Sequence, residues 1–245
     1  MLRKAVHLKR KSNTDCILLH GYTGGPDDFN GLQKTLAKEF SCNIRIPLLI
    51  GHGTKVEDLD HVSSKDFIAQ VEQEIEKSIA QNKKIIVIGA CIGGLLALYL
   101  AQKYPLLCIV HLSTPYSMRN KPTHPFLYPI IKLKKYWKKN PTPLEKEMRK
   151  NTFRYEHMHA YGFYIAKQIK KKWKAKHITT PCLTIHSIRD SLSTTSGIIR
   201  LHRKLASEHK QLILFDTPIH NLFFSEHKHQ VDWLIVDFIK RFYKE

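Results

Sequence analysis

The chain lacks most of the features that would set it apart from ordinary folded proteins. Glycine and proline number only 11 each among 245 residues, too few for a collagen-like or low-complexity chain. Cysteine is sparse as well. The five present are an odd count spread along the sequence, which excludes the disulfide framework of a small secreted domain. Four of them, Cys16, Cys42, Cys108 and Cys182, lie in apolar strand-like runs. Cysteine in such runs behaves as a small buried hydrophobe, so a reducing compartment is expected. No apolar run approaches the roughly 20 residues that span a bilayer as a helix. The opening MLRKAVHLKRKSNTD has no apolar segment of the kind a secretory signal needs. With 42% apolar residues, the expectation is one sizeable core in a soluble, cytoplasmic protein, peripheral to a membrane if it meets one.

Acidic residues are scarce too: 21 against 40 basic ones, for a net charge of +19. The excess is concentrated, with 17 Lys/Arg and three Glu between Ser117 and Lys176. A strong positive charge first suggests nucleic acid. However, there is no zinc-finger spacing, no RNA-recognition signature and no basic region joined to heptads, so nucleic acid is not the expected partner. Lysine outnumbers arginine three to one, which a coding bias also produces.

Short apolar runs alternate with helical patterns along nearly the whole chain. Runs at Cys16–His20, Asn43–Leu49, Lys84–Ile88, Leu107–Leu112, Pro181–Ser187 and Gln211–Phe215 read as strands. Phe29, Leu32, Leu36 and Phe40 keep helical spacing, as do Phe67, Val71, Ile75 and Ile79. Leu95–Ala101 is apolar all round, Ser196–Ala206 supplies another helix, and Val231, Leu234, Ile235, Phe238 and Phe242 mark a closing amphipathic one. Strand–helix alternation of this kind predicts an α/β fold, a mostly parallel sheet with helices on both faces. One stretch breaks it. Over sixty residues separate Ser113 from Pro181, far more than a strand–helix connection needs. Tyr161, Ile165, Ile169 and Trp173 form an apolar stripe within it, so residues 116–176 read as a basic helical cap inserted into a core of residues 1–115 and 177–245. Such a cap sits at the carboxyl edge of the sheet, where ligands bind.

The chemistry centres on Gly89-Ala90-Cys91-Ile92-Gly93-Gly94, which follows a buried strand and opens a buried helix. Small residues on either side of Cys91 are what a sharp strand-to-helix turn requires, and such a turn lifts its central residue to the mouth of the sheet. A nucleophile there needs a base, and the base an orienting acid, in the chain order nucleophile, acid, histidine. Asp190 follows one strand and His220 follows the last, which predicts a Cys91–His220–Asp190 triad. Asp216 is the rival acid, although its place on a strand end favours a turn role. The oxyanion hole is expected from the backbone N–H groups of Tyr22 and of Ile92, the latter at a helix start where unpaired donors favour an anion. His20 reads as a structural hydrogen-bonder. No Cys/His set has zinc spacing and no dinucleotide fingerprint follows a strand, so neither a metal nor a cofactor is expected.

The order His20-Gly21-Tyr22-Thr23-Gly24, Gly51-His52-Gly53, Gly89-x-Cys91-x-Gly93-Gly94, Asp190 and His220 resembles the α/β-hydrolase fold. It most resembles small bacterial carboxylesterases and monoacylglycerol lipases. The likeness covers about residues 15–243 and implies a carboxylic ester hydrolase with Cys91 in the place of the family's serine. Asp190 is followed by Ser-Leu-Ser, where that branch shows an apolar pair.

A thiol works through its thiolate, which a helix N-terminus and a protonated histidine favour. An ion pair of Cys91 and His220 is therefore expected, with a thioester acyl-enzyme. Hydrolysis of short- to medium-chain acyl esters, thioesters or monoacylglycerol-like lipids follows. Two alternatives stay open. One is acyl transfer through the same thioester, since polyhydroxyalkanoate synthases carry a similar box. The other is a weakened or inactive scaffold, its serine altered to cysteine, that serves binding. Phe126, Tyr128 and Trp137 are candidate contacts for the acyl chain. The lysine-rich stretch Phe126–Lys139 resembles a segment that rests on an anionic membrane surface; a solvated cap whose apolar face packs on the core is the alternative.

Overall fold

A computed structural model describes residues 4–119, 135–141, 143–148, 150 and 155–243. Nine strands appear among them: β1 (Val6–Leu8), β2 (Thr14–Leu19), β3 (Asn43–Ile46), β4 (Lys84–Ala90), β5 (Cys108–Leu112), β6 (Tyr136–Lys138), β7 (His157–His159), β8 (Cys182–Ser187) and β9 (Lys210–Phe215). The helices are α1 (Leu32–Glu39), α2 (Ser64–Ile79), α3 (Ile92–Lys103), α4 (Pro143–Met148), α5 (Gly162–Lys170), α6 (Thr195–Lys204) and α7 (Lys228–Lys240). Seven strands form one sheet in the order β1-β3-β2-β4-β5-β8-β9. All its neighbours run parallel except β1, which pairs antiparallel with β3.

Alternation along each strand divides the interior in two. Ile17, Leu19, Ile85 and Val87 face one way, into a core with α2, α3 and α5. Cys16, Leu18, Ile86 and Ile88 face the other way, against residues of α1 and α7. That two-sided burial is why these strands read as unbroken apolar runs. Cys16, Cys42, Cys108 and Cys182 are all buried and free. Helix α3 is apolar all round because it is covered all round, whereas α2 buries Phe67, Val71 and Ile75 and leaves its final residue, Ile79, exposed. Among the described residues no helix is long and apolar enough to cross a membrane.

The sheet differs from the sequence reading at its edges. Strand β1 was not expected; three residues with a polar face carry too little periodicity to be read. Strand β3 stops at Ile46, because Pro47 cannot donate to a ladder. Between β5 and β8, helix α5 buries Ile165 and Ile169, with Trp173 buried just beyond it. The same stretch also holds a two-stranded antiparallel ribbon of β6 and β7 that the sequence reading lacked. Phe126 and Tyr128 lie outside the described residues, as does most of the lysine-rich stretch that contains them.

Candidate active site

Cys91 stands between β4 and α3 with φ 52° and ψ −117°, a conformation that L-residues avoid. Packing holds it there. A methyl group on Gly89 would come within 2.2 Å of the Gly93 carbonyl oxygen, and one on Gly93 within 1.9 Å of the Leu19 carbonyl oxygen. Only glycine fits either place. The Cys91 N–H donates to Leu112 O at 2.9 Å, and its carbonyl accepts from Gly94 N at 2.9 Å. The turn is thereby tied to β5 on one side and to the first turn of α3 on the other.

His220 and Asp190 arrive from the ends of β9 and β8. Nδ1 of His220 lies 2.7 Å from Oδ2 of Asp190. The Asp190 carboxylate is fully buried and has further donors: Leu192 N at 2.7 Å, Ser193 N at 3.0 Å and Ser193 Oγ at 3.0 Å. Burial pushes its pKa up, but His220 and these donors outweigh burial and hold it well below the usual carboxylate range. On His220 burial opposes the charge, yet Asp190 and then Cys91 more than offset this and raise its pKa well above 6.5. No hydrogen bond within ordinary limits reaches the buried Nε2 among the described residues. Asp216 is elsewhere, exposed and paired at 2.5 Å with Arg189.

Cys91 and His220 share a cavity of about 360 Å³ with Tyr22 and Ile92, a size suited to a small-molecule ligand. Apolar side chains from the stretch between β5 and β8, Met118, Trp137, Met158 and Phe163, line it together with Leu112 and Leu222. Trp137 is half exposed at its edge. Five described non-glycine residues have positive φ, and three of them, Thr23, Cys91 and Ser113, line this cavity. Backbone strain gathers at functional sites in this way.

The loop of residues 20–25 is held by His20, expected as a structural hydrogen-bonder, and by His52 and Asn221, which had no role in the sequence reading. His20 has Nδ1 2.9 Å from Gly21 O and accepts from Leu49 N through Nε2 at 3.0 Å, a structural role. His52 accepts the Thr23 N–H through Nε2 at 3.0 Å. Burial pushes the His52 pKa down to about 3, so it stays neutral and able to accept. Gly21 comes so near the turn at Cys91 that a methyl group on it would lie 3.3 Å from Cys91 Cβ. The Asn221 side chain, next to His220, donates to Asp28 O at 3.1 Å and joins this loop's turn to the histidine's. Ser193, in the Ser-Leu-Ser that departs from the apolar pair, is an Asp190 donor. Its hydroxyl was visible in the sequence; that it points back at the carboxylate was not.

A family model described as the alpha/beta hydrolase fold matches residues 17–214. The chain belongs to the α/β-hydrolase family. As an α/β hydrolase it is similar to the thermostable monoacylglycerol lipase of Bacillus sp. (strain H-257), with 36% identity over 92 residues, which are 38% of this chain and 36% of that protein. The match therefore spans about a third of that curated relative's length. Among solved structures, the monoacylglycerol lipase of Paleococcus ferrophilus superposes with a TM-score of 0.77 at 16% identity over 99% of this chain and all of that one. A soluble variant of the monoglyceride lipase of Saccharomyces cerevisiae gives 0.81 at 13% identity over 98% and 92%. At these identities the solved structures establish the shared fold.

Proposed function

We propose that this α/β hydrolase cleaves carboxylic esters or thioesters through a covalent acyl-enzyme, with Cys91 as nucleophile, His220 as acid and base, and Asp190 as the group that orients His220. The observation that carries this reading is the 2.7 Å contact of His220 Nδ1 with buried Asp190, made on a ring that lines one cavity with a strained Cys91. The raised pKa of His220 favours its imidazolium form, which can give a proton to the leaving group.

In the reaction, the Cys91 thiolate attacks the carbonyl carbon and the C=O electron pair moves onto oxygen. The N–H groups of Tyr22 and Ile92 receive that oxyanion. Collapse restores the carbonyl and breaks the bond to the leaving alcohol or thiol, which takes the proton from His220 Nε2. Water, deprotonated by the now neutral His220, attacks the thioester. The acid departs, and the proton stays on His220 opposite a regenerated thiolate.

The substrate reading is a short- to medium-chain acyl ester or a monoacylglycerol-like lipid. Trp137, Met158 and Phe163 in the cavity wall support an apolar acyl chain, and so does the likeness to proteins named monoacylglycerol lipases. Residues 116–176 serve as the cap, and their net positive charge favours an anionic membrane surface. The five free thiols suit a reducing, cytoplasmic setting.

The test is a chain-length series of chromogenic acyl esters, assayed with the protein as it stands, with Cys91→Ser and with Cys91→Ala, before and after iodoacetamide. Turnover that Cys91→Ala and alkylation both abolish is expected. Turnover only in Cys91→Ser would mark a serine scaffold, silence in all three a binding role, and acceleration by an added alcohol a transferase. Co-sedimentation with anionic but not neutral vesicles, weakened by salt, tests the membrane surface.

A further inference from the structure

Tyr22 has two ends with different surroundings. Its backbone lies in the loop that approaches Cys91, while its side chain reaches into the inserted stretch. The hydroxyl lies 2.8 Å from Nδ1 of His159, 137 residues away in the chain. Nε2 of His159 lies 2.9 Å from Oδ1 of Asp60. Because Asp60 can only accept, Nε2 carries the proton, Nδ1 is the acceptor and the Tyr22 hydroxyl is the donor. Asp60 holds two more groups of the inserted stretch, Tyr136 through its hydroxyl at 2.8 Å and Lys135 at 2.8 Å. Beside this chain, Lys139 Nζ donates to Thr23 Oγ1 at 2.6 Å.

Packing points the same way. The Tyr22 ring meets His52 edge-on at 5.7 Å and Phe67 at 6.3 Å. On its other side a methyl group on Gly162, the first residue of α5, would fall 2.3 Å from the ring. Only glycine lets α5 close over Tyr22. His159 is itself nearly fully buried, and burial is the main influence lowering its pKa, which keeps it in the neutral tautomer that this chain of bonds needs.

We propose that His159 and Asp60 are positioning residues: acting through the Tyr22 hydroxyl, they hold the 20–25 loop beside Cys91 and so fix where the Tyr22 N–H of the oxyanion hole points. The proposal rests on the ester-hydrolase reading given above. It explains why a loop expected to supply one N–H is tied, through its side chain, to residues that touch no reacting atom.

The experiment compares His159→Phe, Tyr22→Phe and the double variant in the full chain, reading kcat and KM on a chromogenic ester, the melting temperature, and the rate of Cys91 alkylation by iodoacetamide. Each single change should lower kcat by about tenfold to a hundredfold, the scale of a misplaced catalytic donor. KM should change less than about threefold, as for a group that acts only in the transition state. The double variant should be no worse than either single one, because both break the same chain. Alkylation of Cys91 should change to the same extent in all three, because each variant frees the same loop beside it. Multiplicative losses in the double variant, or lowered melting temperatures with kcat intact, would overturn the proposal. Should the unaltered protein cleave no ester, the hydrolase reading falls, and non-additive alkylation rates alone then decide whether the lock exists.

Discussion

His220 Nδ1 meets Asp190 Oδ2 at 2.7 Å across thirty positions of sequence, and that carboxylate also accepts from Ser193 Oγ at 3.0 Å. The acid is therefore over-determined, held from two directions. Asp190→Asn keeps the shape and removes the charge. It should lower kcat by about 10³-fold or more, the cost of a histidine in the wrong tautomer. Asp190 raises the His220 pKa, so the basic limb of the kcat/KM profile should also move to lower pH in this variant. Ser193→Ala, which removes one donor of four, should cost only a few-fold. A pH series of ester hydrolysis on the three proteins checks all of this.

Cys91 has a positive φ of 52°, and a strained residue of this kind costs of order 1–3 kcal/mol. Cys91→Gly should therefore be the more stable of two inactive variants, exceeding Cys91→Ala by about 1 kcal/mol in urea unfolding. That reverses the usual order of alanine over glycine beside a helix. Equal stabilities, or the usual order, would mean that the turn stores no strain.

Gly89 and Gly93 face backbone atoms that cannot move aside. Gly93→Ala should lose about 3 kcal/mol or more of stability along with all turnover. Gly31→Ala, at a position with open space and φ of 88°, should lose about 1 kcal/mol from conformation alone and keep its activity. Parallel thermal melts separate the two costs.

Three buried histidines, His52, His111 and His186, have pKa values pushed down to about 3, 3 and 4, in each case chiefly by burial. A depressed folded pKa means that the unfolded chain binds more protons between about pH 6.5 and the folded value. What these three histidines contribute should therefore be complete above pH 6.5 and be lost as the pH drops toward 4. The slope is on the order of 1 kcal/mol per pH unit for each histidine. His111 bonds Thr114 Oγ1 at 2.9 Å and Thr184 Oγ1 at 2.9 Å, so His111→Gln should shallow that acid slope without abolishing activity. Denaturant melts at pH 7, 6, 5 and 4 measure it.

Much of this architecture was legible in the residues. Phe67, Val71 and Ile75 fall on the buried face of α2, and KIIVI is a strand covered on both sides. The small residues around Cys91 announced the turn that the backbone makes. The choice of acid was harder. Asp190 and Asp216 both follow strands, and position alone weighed only weakly against Asp216; the fold sends one inward to His220 and leaves the other at the surface with Arg189. His159 gave no signal beyond being one of 15 histidines, and His52 none beyond its place in Gly51-His52-Gly53, because their roles depend on what lies opposite them.

By itself the sequence determined the alternation of strands and helices, the two-sided burial of the sheet and the sharp turn at Cys91. Each of these follows from spacing within a few residues, where periodicity and steric size act locally. The tertiary structure decided which carboxylate reaches His220, how β1 closes the sheet edge, and that Tyr22 is joined to His159 across 137 residues. Contacts of that kind are set by where loops bring distant groups together, and a loop's path depends on packing that no local pattern records.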